Sequence, residues 1–327
     1  MWRWSVFAAV MVSATIGVSE GLPPLHAEAY PSRPIRWIVG FPAGGGSDAL
    51  ARVVAQQMSI ELGVPIVIEN KAGASGNIAA AALGQAPPDG YTLLLGDRNS
   101  IIINVDLFKD PGFDPKKDFV AIGLIARVPM VLVVGPTVKA ANLQEFVALA
   151  KAKPGELTYA SPGVGTQQEL TFEMLKGSAN IDVMRIRYKG GNQQILDLVQ
   201  GIVSSTVAAY PAVQSFLASG AIRALAIARE SRRPEIPDVP TFAELGIQGL
   251  ESAGWVGLFT RAGTPPGILE RLGSALARSM ANPDTLAKVI ATGWEPQFGT
   301  KSDMEQIIRA DLQVWPALVK SRGMVDQ

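Results

Sequence analysis

The stretch "IRWIVGFPAGGGSDAL", residues 35–50, sets an apolar run against three consecutive glycines and the start of a helical pattern. "IRWIVGF" (35–41) reads as a buried strand. "DALARVVAQQMSIEL" then places Leu50, Val53, Val54, Met58 and Leu62 on one helical face. "VPIVIEN" (64–70) is a second strand, "KAGASGNIAAAAL" a second glycine-rich turn opening an alanine-rich helix, and "YTLLLGD" (91–97) a third strand. Strand, turn, helix, strand predicts a parallel sheet with helices on its faces.

The pattern recurs further on. "PMVLVVG" (129–135) is a strand, and Asn142 with Glu145 caps the helix "LQEFVALAK". "LTYASPGVGTQQELTFEML" (157–175) is again strand, glycine turn and helix, with Thr166 and Glu169 spaced as a capping box. "VMRIRYKGG" and "IRALAIA" supply strands around the helix "NQQILDLVQG". "WVGLFTRAG" (255–263) is a last strand. Helices then open at Thr264-Pro265, at Asn282-Pro283 and at a Ser302–Glu305 box, and Pro316 should kink or end the final one. These closing helices have no strands of their own in this reading, so they pack back on the first domain. The expected organisation is a discontinuous domain of residues 30–128 and 255–327, and a second domain of residues 129–254. A chain of 327 residues fits two domains better than one.

The first 29 residues read as a cleaved leader. Arg3 is followed by an apolar run from Val6 to Val18 and by "AEA" at Ala27–Ala29. That run is shorter than the roughly 20 residues a membrane span needs. The chain has no Cys, and its one His, His26, lies in the leader. Ser-His-Asp and Cys-His catalysis, disulfides and nearly all zinc sites are therefore excluded from the mature chain. Basic and acidic residues balance at 29 each, and removing Arg3, Glu20 and Glu28 leaves 28 against 27. Nothing in that balance favours nucleic acid or an anionic membrane.

"GFPAGGGSDA" lacks the Gly-Lys-Ser/Thr of a Walker loop, and "SPGVGTQQE" lacks the third glycine of a dinucleotide fingerprint. Each turn instead offers N–H groups and small hydroxyls at a helix start, which suits an anion. One such turn in each domain suits a molecule with a carboxylate at either end. The alternative is that the glycines only permit tight turns and close packing.

"YPSRPIRWIVGFPAGGGSDALAR", "VIENKAGASGNIAA", "PPDGYTLLLG", "YASPGVGTQQEL", "RYKGGNQQILDLVQG", "GAIRALAIA", "IPDVPTFAELGI" and "GLFTRAGTPP", in that order, resemble the periplasmic receptors of tripartite tricarboxylate transporters, also called Bug-type receptors. The resemblance implies a periplasmic-binding-protein fold of the Venus-flytrap, type II-like kind, with two α/β domains and a ligand cleft between them. It implies an exported, monomeric receptor that delivers a small carboxylate to the permease subunits of such a transporter, with no catalysis, cofactor or metal. The alternative in the same class is a sensory co-receptor that presents its closed form to a membrane sensor kinase. An enzyme would have to rely on groups such as Lys189 and Asp48, which no convincing acid–base pair accompanies.

Carried over position by position, the resemblance places Phe41, Ala43, Gly44, Gly45, Ser47, Gly73, Ala74, Ser161, Gly163, Gly165 and Thr166 at the ligand. Asp48 reads as capping its helix or bracing the loop, and Glu169 as a helix cap. The chain departs from the family pattern at "GDRNSI" (96–101), where Arg98, with Asn99 and Ser100 beside it, falls on a loop expected at the cleft mouth. There Arg98 either grips a carboxylate bidentately or is a surface residue paired with Asp97 or Asp106. Ala208 stands where relatives often carry an acid, which disfavours an amino-acid ligand. Tyr210 adds a ring and a hydroxyl to the expected cleft wall. Together these features point to a dicarboxylate.

Overall fold

The structure, a computed structural model, describes residues 30–108, 111–188, 191–247, 250 and 254–321. The expected leader (1–29) and Lys189 lie outside the described residues, as does the side chain of Asp106. The chain begins β1 (Ile35–Val39), α1 (Gly46–Leu62), β2 (Ile66–Asn70), α2 (Asn77–Gly84), β3 (Thr92–Asp97), α3 (Asn104–Leu107), α4 (Pro115–Asp118) and β4 (Phe119–Val128). It continues β5 (Met130–Val134), α5 (Leu143–Ala152), β6 (Thr158–Ser161), α6 (Gln167–Ala179), β7 (Met184–Arg187), α7 (Gly191–Val199), β8 (Ser205–Ala209), α8 (Tyr210–Ala218) and β9 (Arg223–Ala228). It closes with β10 (Gly254–Arg261), α9 (Pro266–Ala281), α10 (Pro283–Ala291), β11 (Glu295–Gly299) and α11 (Lys301–Ser321).

These strands make two sheets. One is six-stranded in the order β11-β4-β10-β3-β1-β2, the other five-stranded in the order β7-β6-β8-β5-β9. Pro129 alone separates β4 from β5, and the chain returns to the first sheet between Ala228 and Gly254. The expected parallel pairing holds for the strands of residues 35–97, but both sheets as a whole are mixed. β1 pairs parallel with β2 and β3, but β10 runs antiparallel to β3 and β4. In the second sheet β6 runs parallel to β7 and β8, whereas β5 runs antiparallel to β8 and β9. Strands β5 and β10, the first after each change of sheet, both run antiparallel to their neighbours.

Alternation along β1 explains how the first sheet is covered on both faces. Trp37 and Val39 join Leu50, Val54 and Met58 of α1 and Leu272 and Leu276 of α9 on one face. Ile38 points the other way, to Ala79 and Leu83 of α2 and Met304, Trp315 and Val319 of α11. Each of the Val, Leu, Ile and Met side chains among them, fully buried, contributes about 1.5–3 kcal/mol. The closing helices thus pack on the six-stranded sheet.

Three local expectations need correction. β11 lies among the closing helices and pairs antiparallel with β4. The cap of α11 is Thr300, whose Oγ1 accepts from Asp303 N at 3.3 Å while Asp303 Oδ2 accepts from Thr300 N at 2.7 Å, two residues ahead of the Ser302–Glu305 box. Of the two outcomes expected at Pro316, an end to the helix is excluded, since α11 runs on to Ser321. Burial of Trp315 and Val319 against the sheet outweighs the hydrogen bond that the proline deletes.

Candidate functional site

The first glycine turn is built around Asp48. Gly45 precedes α1 and Gly44 adopts φ +78°, a left-handed conformation that glycine takes without strain. Asp48, 3% exposed, accepts from Gly44 N at 2.9 Å and from Arg52 Nε at 2.9 Å through Oδ2. Its Oδ1 accepts from Asn70 Nδ2 at 3.0 Å, and Asn70 also donates to Phe41 O at 3.1 Å. Burial works against ionisation of Asp48, but the bonds from Arg52, Gly44 and Asn70 outweigh it and hold the carboxyl below its ordinary value. Asp48 therefore braces the loop, as the sequence suggested. Ala43 and Gly44 are exposed, while Phe41, Gly45 and Ser47 are half-buried.

Beside this turn lies a strained one. Gly73, Ala74, Ser75 and Gly76 all have positive φ, at 132°, 46°, 51° and 88°. For Ala74 and Ser75 that conformation is costly, and strain of this kind gathers where a loop has work to do. Asn104 Nδ2 holds the turn by donating to Ser75 O at 3.0 Å. Gly73 and Ala74 are exposed. The two turns touch, since a Cβ on Gly40 would lie 3.1 Å from Gly76 Cα.

The second glycine turn opens α6 and comes from the five-stranded sheet. Thr166 Oγ1 accepts from Glu169 N at 3.4 Å, the expected cap. Glu169 does not return the bond to Thr166 but accepts from Gly165 N at 2.6 Å, and its other oxygen accepts from Arg185 Nη1 at 2.6 Å. Ser161 Oγ donates to Gly163 O at 3.1 Å. Ser161, Gly165 and Thr166 are buried and Gly163 is half-buried. This turn faces the strained one, because a Cβ on Gly163 would come within 3.2 Å of Ser75 Oγ.

The structure corrects the placement of Arg98. The residue is 1% exposed, not at a cleft mouth, and its Nε donates to Asp311 Oδ2 at 2.8 Å. Its guanidinium lies over the Trp315 ring at 4.6 Å. Burial holds Arg98 below its ordinary pKa, against the pull of Asp311 and Asp97. Ser100 is also buried and caps locally, donating from its N–H to Asp97 Oδ1 at 2.9 Å. Tyr210 is 6% exposed, with Arg233 over its ring at 4.2 Å and its N–H on Pro129 O at 2.9 Å. It stands at the crossover between the sheets.

Sequence reasoning missed Ser75, Leu107, Gln167 and Asp311. Ser75 was legible in part, being enclosed by the glycines of "AGASG". Gln167 follows the Thr166 cap, so its N–H is one that a helix start leaves without an intrahelical acceptor. Nothing local marks Leu107 or Asp311.

Residues 50–324 match the model of the tripartite tricarboxylate transporter family receptors. Protein BugT of Bordetella pertussis is 33% identical over 311 residues, covering 95% of this chain and 94% of its own length. Among solved structures, R. palustris Rpa4515 with adipate has TM-score 0.85 at 32% identity, covering 90% of this chain and 99% of its own. MatC from Rhodopseudomonas palustris with bound malate has TM-score 0.81 at 29% identity, covering 89% and 100%. Two α/β domains whose glycine turns meet, matched over nearly their whole length, place the chain in the family of tripartite tricarboxylate transporter receptors, periplasmic solute-binding proteins and not enzymes.

Proposed function

We propose that this receptor captures a small dicarboxylate between a domain of residues 30–128 and 255–327 and a domain of residues 129–254. It then delivers the ligand, as a monomer, to the permease subunits of a tripartite tricarboxylate-type transporter. Residues 1–29 act as a cleaved leader that exports it to the periplasm. Among the described residues no helix is long and apolar enough to cross a membrane.

The observation that carries this reading is the meeting of the strained turn at Gly73–Gly76 with the glycine turn of α6, one from each sheet. A ligand held at that meeting point gains contacts that exist only when the domains are closed, and only such contacts shift a closing equilibrium. Ala43, Gly44, Gly73 and Ala74 form the exposed side of the site. Two relatives of the same fold hold adipate and malate, which supports a dicarboxylate.

Thermal unfolding and calorimetric titration against a panel of mono-, di- and tricarboxylates test the reading. A ligand bound only by the native state raises its stability by mass action. A dicarboxylate should raise the melting temperature most. A panel in which no carboxylate does so, or in which one is turned over, overturns it.

A further inference from the structure

Four N–H groups of the second glycine turn, those of Gly163, Gly165, Thr166 and Gln167, already have acceptors within the chain. Gly163 N donates to Ser161 Oγ at 3.3 Å, Gly165 N to Glu169 Oε2 at 2.6 Å and Thr166 N to Gly163 O at 3.3 Å. Gln167 N, the first donor of α6, goes to Asn99 Oδ1 at 3.2 Å, and Asn99 Nδ2 donates back to Gly165 O at 3.1 Å. Asn99 is 7% exposed and follows β3 of the six-stranded sheet, whereas the turn belongs to the five-stranded one. One side-chain amide thus makes a two-way bond across the domains.

The neighbours of Asn99 extend the contact. With the Gln167 amide oriented so that both its ends are satisfied, its oxygen accepts from Arg98 Nη1 at 3.0 Å and from Gly254 N at 3.1 Å. A Cβ on Gly165 would overlap Leu107 Cδ1, so the turn is seated directly on α3.

We propose that the second glycine turn is a socket for Asn99 and not a cradle for an anion. Asn99 is then a positioning residue: its amide draws the start of α6 onto the first domain and so sets the closing equilibrium. Glu169 has already put a carboxylate into the turn, which makes a second one unwelcome there and a neutral amide suitable. The proposal rests on the receptor reading and refines it. The ligand's carboxylate is recognised at the first glycine turn and the strained turn beside it, and closure is driven in part by a contact the protein makes with itself.

The test reads domain closure directly and needs no ligand. The chain has no cysteine, so Ile60→Cys and Ile202→Cys, at positions 68% and 63% exposed and one in each domain, give a unique pair of spin-label sites. Asn99→Ala should lower the ratio of short to long interdomain distances roughly tenfold, the order expected for two lost hydrogen bonds. Asn99→Asp, nearly the same shape, keeps the acceptor for Gln167 N but sets an anionic oxygen against Gly165 O, and should open the protein at least as far. Circular dichroism establishes that each variant is folded. Unchanged distance distributions in both variants overturn the proposal.

Adipate titration of the same proteins supplies an independent arm. A socket predicts weaker adipate binding in Asn99→Ala through faster release, with the capture rate unchanged. Tighter adipate binding in Asn99→Ala would mean that the amide merely occupied an anion cradle, and would also overturn the proposal. Failure of adipate to bind the parent protein would count against the choice of a dicarboxylate and leave the distance result standing.

Discussion

Arg98 and Asp311 form a buried ion pair, Nε to Oδ2 at 2.8 Å, across 213 positions of sequence. Asp311 Oδ2 also accepts from Trp255 Nε1 at 2.6 Å, and its Oδ1 accepts from Trp315 Nε1 at 3.2 Å. The exit of β3, the start of β10 and α11 are thereby tied at one carboxylate. Removing one partner strands the other in a low-dielectric site, which costs about 3–5 kcal/mol. Arg98→Met and Asp311→Leu should each destabilise the protein by that order in urea unfolding. The double variant should recover most of the loss, because two apolar groups leave no charge behind. Additive losses would show that the pair is not the source of the effect.

Gly165 has φ +66° and Leu107 presses against it from the other domain. Gly165→Ala should hold the domains apart by placing a methyl where Leu107 Cδ1 lies. Small-angle scattering with saturating ligand should then show a larger radius of gyration than for the parent protein. Leu107→Ala added to Gly165→Ala should restore part of the closure, though the left-handed strain, about 1 kcal/mol, would remain.

The carboxyl of Asp48 titrates below its ordinary value in the folded protein. Its contribution to stability is therefore complete above the unfolded value of about 3.9 and is lost as pH falls through the lower folded one. The stability difference between the parent protein and Asp48→Asn should be constant at neutral pH and shrink below about pH 4. A difference that grows on acidification would contradict the role given to Arg52, Gly44 and Asn70.

Glu295 on β11 accepts from Arg233 Nη1 at 2.8 Å and pairs with Arg229 Nε at 3.0 Å. Both arginines follow β9, so this link joins the two sheets at the crossover. Arg233 is 3% exposed and keeps Glu235 as a second partner, Nη2 to Oε1 at 2.9 Å. Glu295→Ala should cost about 1–3 kcal/mol by chemical denaturation, the range for a buried donor that loses its acceptor. Glu295→Gln should cost less, since the amide oxygen can still accept from Arg233.

The sequence by itself determined what short-range periodicity and turn chemistry govern. The run from Ile35 to Leu62 specifies a strand, a glycine turn and an amphipathic helix, because every signal lies within a few turns of the chain. The caps at Asn142 and Asn282 are local for the same reason, each accepting from the N–H three residues on. Asp48 was legible as a brace because Gly44 is only four residues away. The ordered motifs also carried the family, and with it the two-domain architecture.

Tertiary structure alone decided what long-range pairing governs. β4, β8 and β11 escaped the sequence reading. β4 and β8 are buried almost throughout and show no alternation, and β11 is a short edge strand that exists only because β4 lies beside it. Arg98 shows the same limit at one side chain. A lone arginine after a strand suits a ligand or the surface equally well, and its fate was set by Asp311, Trp315 and Gln167, which arrive from two distant segments. Asn99 is the converse case, an unremarkable loop asparagine in the sequence that spans the two domains in the fold. Hydrogen bonding is decided by which groups lie within about 3 Å. Over separations of 66 and 213 residues, that distance is a property of the packed sheets and not of any stretch of the chain.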